Sequence, residues 1–257
     1  MVITPALAQR TLAALDLTCL DEDARPERIH ALCRAAHTRF GDVAAVCVYP
    51  EYIVSARRAL DAFGASAIRV ATVTNFPDGS DDPARAVRET RRAVAAGADE
   101  VDVVFPWRAL LDGLEQPGHE LVGGCKEACG NSTRLKVILE TGHLAEPAMI
   151  RRASEIAIAA GADFIKTSTG KAAVNATPGA AVIMLTAIRD SGSECGFKAA
   201  GGVRRLVDAT RYFDIAERVL GTGWATPERF RIGASSLLDE ITEVLEEDAP
   251  RIAGSGY

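Results

Sequence analysis

Two stretches of the chain follow the same plan, AGADEVDVVF at residues 96–105 and AGADFIKTS at residues 160–168. In each, a glycine that suits the end of a helix precedes a run of apolar residues that suits a buried strand. The two stretches begin at residues 96 and 160, two units of about 32 residues apart, and about eight such units make up a (β/α)8 barrel. The repeat therefore predicts a chain built from strand–helix units.

Short apolar runs and Ala- and Arg-rich helical stretches alternate along the rest of the chain as well. We predict eight strands, at Leu12–Leu17, Val43–Val48, Ile68–Thr74, Glu100–Phe105, Leu135–Glu140, Phe164–Ser168, Gly196–Ala200 and Phe230–Ala234. We predict eight helices, at Pro26–Arg39, Tyr52–Phe63, Pro83–Ala96, Glu120–Cys129, Glu146–Ala160, Gly179–Asp190, Leu206–Val219 and Ser235–Glu246. Apolar strands that alternate with helices indicate a parallel sheet covered by helices.

Eight such units in 257 residues fit a single α/β domain, a (β/α)8 or TIM barrel. A doubly wound open sheet is the alternative fold, but no glycine-rich dinucleotide loop follows the first predicted strand. We assign residues 1–250 to the barrel domain because no linker rich in Pro, Gly or Ser interrupts them. We expect residues 251–257, which are mostly small or polar, to form a short flexible C-terminal tail.

The composition argues against several kinds of partner. With 29 basic and 35 acidic residues the net charge is -6, so we expect no general affinity for nucleic acid or anionic membranes. No window approaches the roughly 18 apolar residues of a membrane span, and the first residues lack a signal-peptide pattern. The six scattered cysteines indicate reduced thiols in the cytoplasm. Cys125 and Cys129 lack the further ligands that a zinc site needs.

Lysine is rare in this chain and unevenly placed. Of the 29 basic residues only five are lysine, and three of these, Lys166, Lys171 and Lys198, lie between positions 166 and 198. Arginine can supply positive charge almost anywhere, whereas lysine offers an amine that can lose its proton when its surroundings lower its pKa. The cluster therefore indicates lysine chemistry.

Three charged residues interrupt predicted strands that should be buried: Asp102 in the fourth, Lys166 in the sixth and Lys198 in the seventh. If all three point into the barrel, two ammonium groups and one carboxylate share a cavity. A buried structural ion cluster is one interpretation, but burying unbalanced charge costs several kcal/mol. The functional interpretation is that a neighbouring ammonium and desolvation lower the pKa of Lys166. Its neutral amine could then attack a carbonyl and form a Schiff base, while Lys198 and Asp102 transfer protons.

Small-residue loops after the sixth, seventh and eighth predicted strands suggest an anion site. In barrels, backbone amides and helix N-termini at these loops often bind phosphate. The residues in question are Thr167, Gly170, Lys171, Gly201, Gly202, Gly233, Ser235 and Ser236. Asp16 and Cys47, in the first two strands, are candidates for the pocket wall, although Cys47 better fits a small buried hydrophobe. We assign His143 to the surface.

Four motifs resemble deoxyribose-phosphate aldolases: TVTNFP at residues 72–77, GADEVDVVFP at 97–106, FIKTSTGK at 164–171 and GFK at 196–198 with GGVR at 201–204. The resemblance runs from Asp16 to Ser236. It implies reversible cleavage of 2-deoxy-D-ribose 5-phosphate to acetaldehyde and D-glyceraldehyde 3-phosphate, without a metal or other cofactor.

The resemblance also implies particular roles. Lys166 matches the Schiff-base lysine, Lys198 and Asp102 match the proton-relay pair, and the small-residue loops match the phosphate site. Ala199 departs from the proline that the family commonly has, which bears on substrate affinity rather than on the type of reaction. The last residue, Tyr257, resembles a C-terminal tyrosine that reaches the active site in long-tailed members.

Two alternatives remain from the sequence. One is a phosphosugar isomerase or synthase that uses acid–base catalysis alone on the same barrel, and the other is a non-catalytic sugar-phosphate sensor. In each case the partners are small phosphorylated sugars and aldehydes, and the chain could also form a homodimer.

Overall fold

The computed structural model describes residues 3–248. Eight parallel strands close into a barrel, which confirms the predicted TIM barrel. The barrel strands are β1 (Leu15–Cys19), β4 (Ala45–Val48), β5 (Arg69–Thr74), β6 (Glu100–Val104), β7 (Arg134–Ile138), β8 (Phe164–Lys166), β9 (Gly196–Ala200) and β10 (Phe230–Ala234). Around the barrel they pair in the order β1-β10-β9-β8-β7-β6-β5-β4, and β4 closes it against β1. A short antiparallel pair, β2 (His37–Thr38) and β3 (Gly41–Asp42), lies outside the barrel.

Helices cover the outside of the barrel. They are α1 (Pro5–Ala13), α2 (Pro26–Ala36), α3 (Ile53–Ala62), α4 (Pro83–Ala95), α5 (Trp107–Leu111), α6 (Gln116–Cys129), α7 (Thr141–Leu144), α8 (Pro147–Ala159), α9 (Pro178–Ser191), α10 (Leu206–Leu220) and α11 (Leu237–Asp248). Several begin with proline in the first turn, where a missing N–H costs nothing. Asp82 caps α4 by accepting from Arg85 N, and Thr177 caps α9 by accepting from Ala180 N.

The structure corrects the predicted start of the barrel. The first strand was predicted at Leu12–Leu17, but Leu12 belongs to helix α1 and the strand is Leu15–Cys19. Thr4 caps this helix by accepting from Leu7 N, and Pro5 occupies its first turn. That cap was the overlooked signal, because Thr-Pro before an amphipathic stretch is typical of a helix start.

Other boundaries differ for local reasons. Helix α2 was predicted to reach Arg39 but ends at Ala36, where the chain turns into the β2–β3 pair. Helix α6 was predicted from Glu120 but begins at Gln116. Short helices α5 and α7 follow barrel strands β6 and β7, and single turns of this kind leave little periodic signal in a sequence.

The inside of the barrel has an apolar side and a charged side. Small side chains on β4 and β5 form an apolar cluster apart from the main core, together with Leu20, which follows β1. The β4 and β5 members are Ala45, Cys47, Ala71 and Val73. The remaining strands place buried charged side chains in the interior, and these build the candidate site described below.

Further sequence predictions concern the C-terminal tail, membrane spans and metal sites. The predicted tail at 251–257 and Tyr257 lie outside the described residues, so the tail and its domain boundary stay predictions. Within residues 3–248, no helix combines the length and apolar character that crossing a bilayer requires. The same residues contain no group of three or more His, Cys, Asp or Glu placed to hold a metal ion.

Candidate active site

Asp102, Lys166 and Lys198 meet inside the barrel, as their strand positions predicted. Lys166 Nζ donates to Asp102 Oδ2 at 2.9 Å, and Lys198 Nζ donates to the same oxygen at 2.8 Å. Side chains alternate along each strand, so one inward position on each of β6, β8 and β9 is enough to bring the three together. Lys166 is 3% exposed, which leaves its amine at the edge of the cluster.

Four further charged side chains complete this cluster or tie it together, and the sequence reasoning did not name three of them as site residues. They are Asp16 on β1, Glu100 on β6, Lys136 on β7 and Arg231 on β10, each 0% exposed. Asp16 was predicted only as a pocket wall; its Oδ1 accepts from Arg231 at 2.6 Å and its Oδ2 lies 2.5 Å from Lys198 Nζ. The predicted imbalance of two ammoniums and one carboxylate was therefore incomplete.

The sequence carried a signal for these residues. Lys136 and Arg231 each stand between apolar residues in a predicted strand, as Asp102, Lys166 and Lys198 do. The same rule, that a charge inside a buried strand needs a partner or a function, would have selected them. Their partners could not be read from the sequence, because pairing across the interior depends on how the eight strands are staggered.

The cluster shifts the pKa values of its members in opposite directions. Burial, together with the Lys198 ammonium, lowers the pKa of Lys166 and outweighs the opposing effect of Asp102. Burial also disfavours the Lys198 ammonium, but the carboxylates of Asp102 and Asp16 outweigh it and raise that pKa. Burial disfavours the Asp102 carboxylate, yet the ammoniums of Lys136, Lys166 and Lys198 hold its pKa well below the ordinary range. Lys166 is thus the lysine of this cluster whose pKa is lowered, while the pKa values of Lys136 and Lys198 are raised.

Gly233 makes room for Lys198 of the cluster, and Gly201 makes room for the side chain of Asn175. A Cβ atom at Gly233 would lie 3.0 Å from Lys198 Cε and 3.1 Å from Ala200 Cβ, so the absence of a side chain lets Lys198 cross in front of β10. A Cβ at Gly201 would lie 2.7 Å from Asn175 Cβ, and its φ of +82° is a conformation that glycine adopts readily.

A cavity of about 250 Å³ opens above Lys166 and Lys198 at the carboxyl ends of the strands. Most of the predicted anion-site residues line it: Gly170, Lys171, Gly201, Gly202, Gly233, Ser235 and Ser236. Thr18, Asp21 and Arg204 line it as well and were not predicted. Glycine amides, two hydroxyls and the start of α11 suit an anion, and Arg204 adds a guanidinium.

Thr167, Cys47 and His143 do not line this cavity, whereas Lys171 crosses its mouth. The Thr167 hydroxyl donates to Ala200 O and accepts from Ala200 N, so it ties β8 to β9 rather than lining the cavity. The Cys47 thiol is buried in the apolar wall, and burial raises its pKa. The Lys171 ammonium donates to Leu20 O at 2.8 Å across the mouth. His143 is exposed, as predicted, and its ring stacks on Trp107.

The loop that carries Lys171 is held from below by Glu140, which sequence reasoning placed only at a strand end. The buried Glu140 carboxylate accepts from the Thr169 hydroxyl at 2.5 Å, and that hydroxyl accepts from Lys171 N at 3.0 Å. Glu140 adopts φ +58°, a strained conformation for a residue with a side chain.

The site therefore combines an ion cluster inside a closed parallel barrel with a glycine-lined cavity at the carboxyl ends of the strands, where barrel enzymes bind and transform their substrates. The family model for DeoC/LacD family aldolases matches residues 10–239. The chain belongs to this family, and it has the aldolase barrel of a lyase.

Solved structures with the same fold include several proteins of related description. A deoxyribose-phosphate aldolase from Aeropyrum pernix, described as a unique tetramer, has 27% identity over 95% of this chain and 91% of its own, with a TM-score of 0.71. A protein from Toxoplasma gondii ME49, assigned provisionally to the same activity, has 27% identity over 95% of this chain and 97% of its own, with a TM-score of 0.87. A protein from Coccidioides immitis, also assigned provisionally, has 28% identity over 94% and 88%, with a TM-score of 0.79.

Proposed function

We propose that this aldolase reversibly cleaves 2-deoxy-D-ribose 5-phosphate to acetaldehyde and D-glyceraldehyde 3-phosphate through a Schiff base on Lys166. The observation that carries the proposal is the position of Lys166 within a cluster of buried charges. Lys166 shares its one carboxylate oxygen with Lys198, and its surroundings lower its pKa. A neutral amine at that point is the nucleophile that a lysine-dependent aldolase requires.

In the cleavage direction, the Lys166 amine attacks C1 of the open-chain sugar and water leaves to give an iminium. The C3 hydroxyl then loses its proton, the C2–C3 bond breaks, and its electron pair forms an enamine. D-glyceraldehyde 3-phosphate departs, the enamine carbon takes up a proton, and water releases acetaldehyde from Lys166. Lys198 and Asp102 are the nearest groups to donate and accept these protons.

The cavity supports a phosphorylated substrate. Its loops after β8, β9 and β10 offer backbone amides at Gly201 and Gly202, hydroxyls at Ser235 and Ser236, and the N-terminus of α11. An acidic chain must bind phosphate with such local groups, because its overall field repels anions. Lys166 lines the same cavity as these groups, so a single sugar phosphate could contact both.

Two alternative functions must be distinguished from the proposed one. The first is a phosphosugar isomerase or synthase that forms no Schiff base, and the second is a non-catalytic sugar-phosphate sensor. The decisive experiment treats the protein with acetaldehyde and borohydride, followed by mapping of the modified lysine by mass spectrometry. Stable addition at Lys166, together with release of acetaldehyde from 2-deoxyribose 5-phosphate, supports the aldolase. Trapping at a different lysine, or the absence of any trapped lysine, would contradict the proposed Schiff-base mechanism.

The proposed substrate suggests a setting in the cell, the breakdown of deoxyribonucleotides in the cytoplasm. All six cysteines are buried and unpaired, as suits a reducing compartment. We also propose a homodimer as the assembly; light scattering tests this, and a monomer or a tetramer like the Aeropyrum relative would contradict it. A role for Tyr257 stays a prediction: removal of residues 251–257 should slow proton transfer, and unchanged kinetics would contradict it.

A further inference from the structure

Beneath the cavity, six of the seven clustered side chains form a closed ring in which positive and negative charges alternate. The contacts around the ring are Asp102–Lys136 at 2.7 Å, Lys136–Glu100 at 2.5 Å, Glu100–Arg231 at 2.9 Å, Arg231–Asp16 at 2.6 Å, Asp16–Lys198 at 2.5 Å and Lys198–Asp102 at 2.8 Å. Three cations and three carboxylates thus balance one another. Lys166 is the seventh member and, among the residues that the structure describes, contacts the ring only through Asp102.

Lys136 is the ring member that binds Asp102 on the carboxylate oxygen that Lys166 does not use. Its ammonium donates to Asp102 Oδ1 at 2.7 Å, while Oδ2 of the same carboxylate accepts from Lys166 and Lys198. This division orients the carboxylate, since one oxygen is held from beneath and the other faces the two upper lysines. Lys136 itself is 0% exposed, so it cannot contact substrate in the cavity.

The lower half of the ring keeps Lys136 in place. Glu100 lies 2.5 Å from the Lys136 ammonium, and Arg231 donates to both Glu100 oxygens, at 2.9 and 3.2 Å. Arg231 is anchored in turn by donating from Nε to Pro227 O at 2.6 Å. A buried ion pair of this kind is costly to leave half-made, which favours one fixed arrangement.

We propose that Lys136 is a positioning residue whose positive charge completes the balance of three cations and three carboxylates in the ring. The ring then needs no further cation, so that Lys166 can lose its proton and act as the nucleophile. If Lys136 were neutral, the ring would carry one unmatched negative charge, and the Lys166 ammonium would supply the balance. If Glu100 were neutral, the ring would carry one unmatched positive charge, and the Lys166 ammonium would be disfavoured further. The role in catalysis rests on the proposed function, whereas the charge balance does not.

Other charged groups around Lys166 and Lys136 leave this balance in place. Cys47 faces the lysines from β4, but burial raises the pKa of its thiol, which stays neutral near pH 7. Arg69 approaches Glu100 at 3.7 Å from the other end of the barrel, where solvent screens it in part. Glu140, another buried carboxylate, binds Thr169 rather than a ring member.

The test measures the protonation of Lys166 directly, by reductive methylation with formaldehyde and cyanoborohydride across a pH series, with mass spectrometry of the Lys166 peptide. We expect Lys136→Met to raise the midpoint pH of methylation by about one unit or more, and Glu100→Gln to lower it. The double variant, which removes one charge of each sign, should return to the wild-type midpoint. Lys136→Arg, which keeps the charge, should also retain it.

Matched controls separate this effect from loss of structure. Lys126 pairs with Asp163 outside the barrel at 2.6 Å, so Lys126→Met removes a paired lysine without touching the ring, and its Lys166 midpoint should equal that of the wild type. Circular dichroism checks that each variant folds. If Lys136→Met does not fold, the Lys166 methylation midpoints of Glu100→Gln and of the double variant test the proposal without it.

The methylation midpoint of Lys166 should rise in Lys136→Met and fall in Glu100→Gln. A merely structural role of these residues would not shift the midpoint in opposite directions. Midpoints that stay unchanged in Glu100→Gln, or that move the same way in both single variants, overturn the proposal. Failure of the wild type to cleave 2-deoxyribose 5-phosphate would instead overturn the proposed function, and would leave the methylation midpoints as a valid test of the ring.

Discussion

Lys166 and Lys198 are register partners on the neighbouring parallel strands β8 and β9. Their ammonium groups meet at one oxygen atom, Asp102 Oδ2, at 2.9 and 2.8 Å. Lys198 has a second carboxylate, Asp16, at 2.5 Å, whereas within residues 3–248 Lys166 has only the shared one. The two lysines are adjacent and chemically alike, yet the second carboxylate helps to raise the pKa of Lys198, whereas the pKa of Lys166 is lowered.

Replacing Lys166 with leucine should abolish turnover, because a side chain without nitrogen cannot form a Schiff base. The two other lysines that line the cavity are engaged, Lys198 by Asp16 and Asp102 and Lys171 by Leu20 O. The measurement is acetaldehyde release from 2-deoxyribose 5-phosphate. The variant should stay folded, since leucine removes a surplus ammonium from the cluster. Turnover that persists after this change would show that another group is the nucleophile.

Replacing Lys198 with methionine should lower kcat by about 10² to 10⁴-fold, the range typical of losing a general acid–base group. Substrate binding should change less, because the anion cradle remains. The variant should also require a higher pH for half-maximal activity, since the neighbouring ammonium that helps to lower the pKa of Lys166 is gone. A matched fall in kcat at every pH would contradict the second part of this prediction.

Replacing Gly233 with alanine should impair catalysis through Lys198. The added Cβ would lie 3.0 Å from Lys198 Cε and 3.1 Å from Ala200 Cβ, so the lysine must shift from its place. We expect a lower kcat with the barrel still folded. The matched control is Gly123→Ala in helix α6, where nothing lies within 4 Å of the new Cβ and the helix should gain about 0.5–1 kcal/mol. Equal kinetics in both variants would count against a role for Gly233.

The buried carboxylates should make the fold resistant to mild acid. Their neighbouring cations hold the pKa values of Asp16, Glu100 and Asp102 below the ordinary range despite burial. A carboxylate with a depressed folded pKa contributes stability above its unfolded pKa of about 4, and that stability is lost as pH falls through the folded value. Urea unfolding should thus give steady midpoints from about pH 7 to about pH 5 and a decline below about pH 4. A steep loss near pH 6 would contradict this.

The sequence determined the barrel and much of the site. Short apolar strands rich in β-branched residues, helices with Pro starts and Gly ends, and the repeated AGAD segment sufficed for the fold, because these are local signals. The alternation of side chains along a strand also placed Asp102, Lys166 and Lys198 in the barrel interior. A charged side chain within a buried strand needs a partner or a function there. The first strand was misplaced because the Thr4 cap of α1 went unrecognised.

Only the tertiary structure decided which charges pair. Glu100, Lys136 and Arg231 lie on three different strands, and their contacts within the ring span 34 to 215 residues of sequence. Whether they meet depends on the stagger and closure of all eight strands, which no local pattern encodes. The electrostatic state of Lys166 follows from that closure: a lysine in an apolar strand can be read from the sequence, but its place outside a balanced ring of six charges exists only once the barrel has closed.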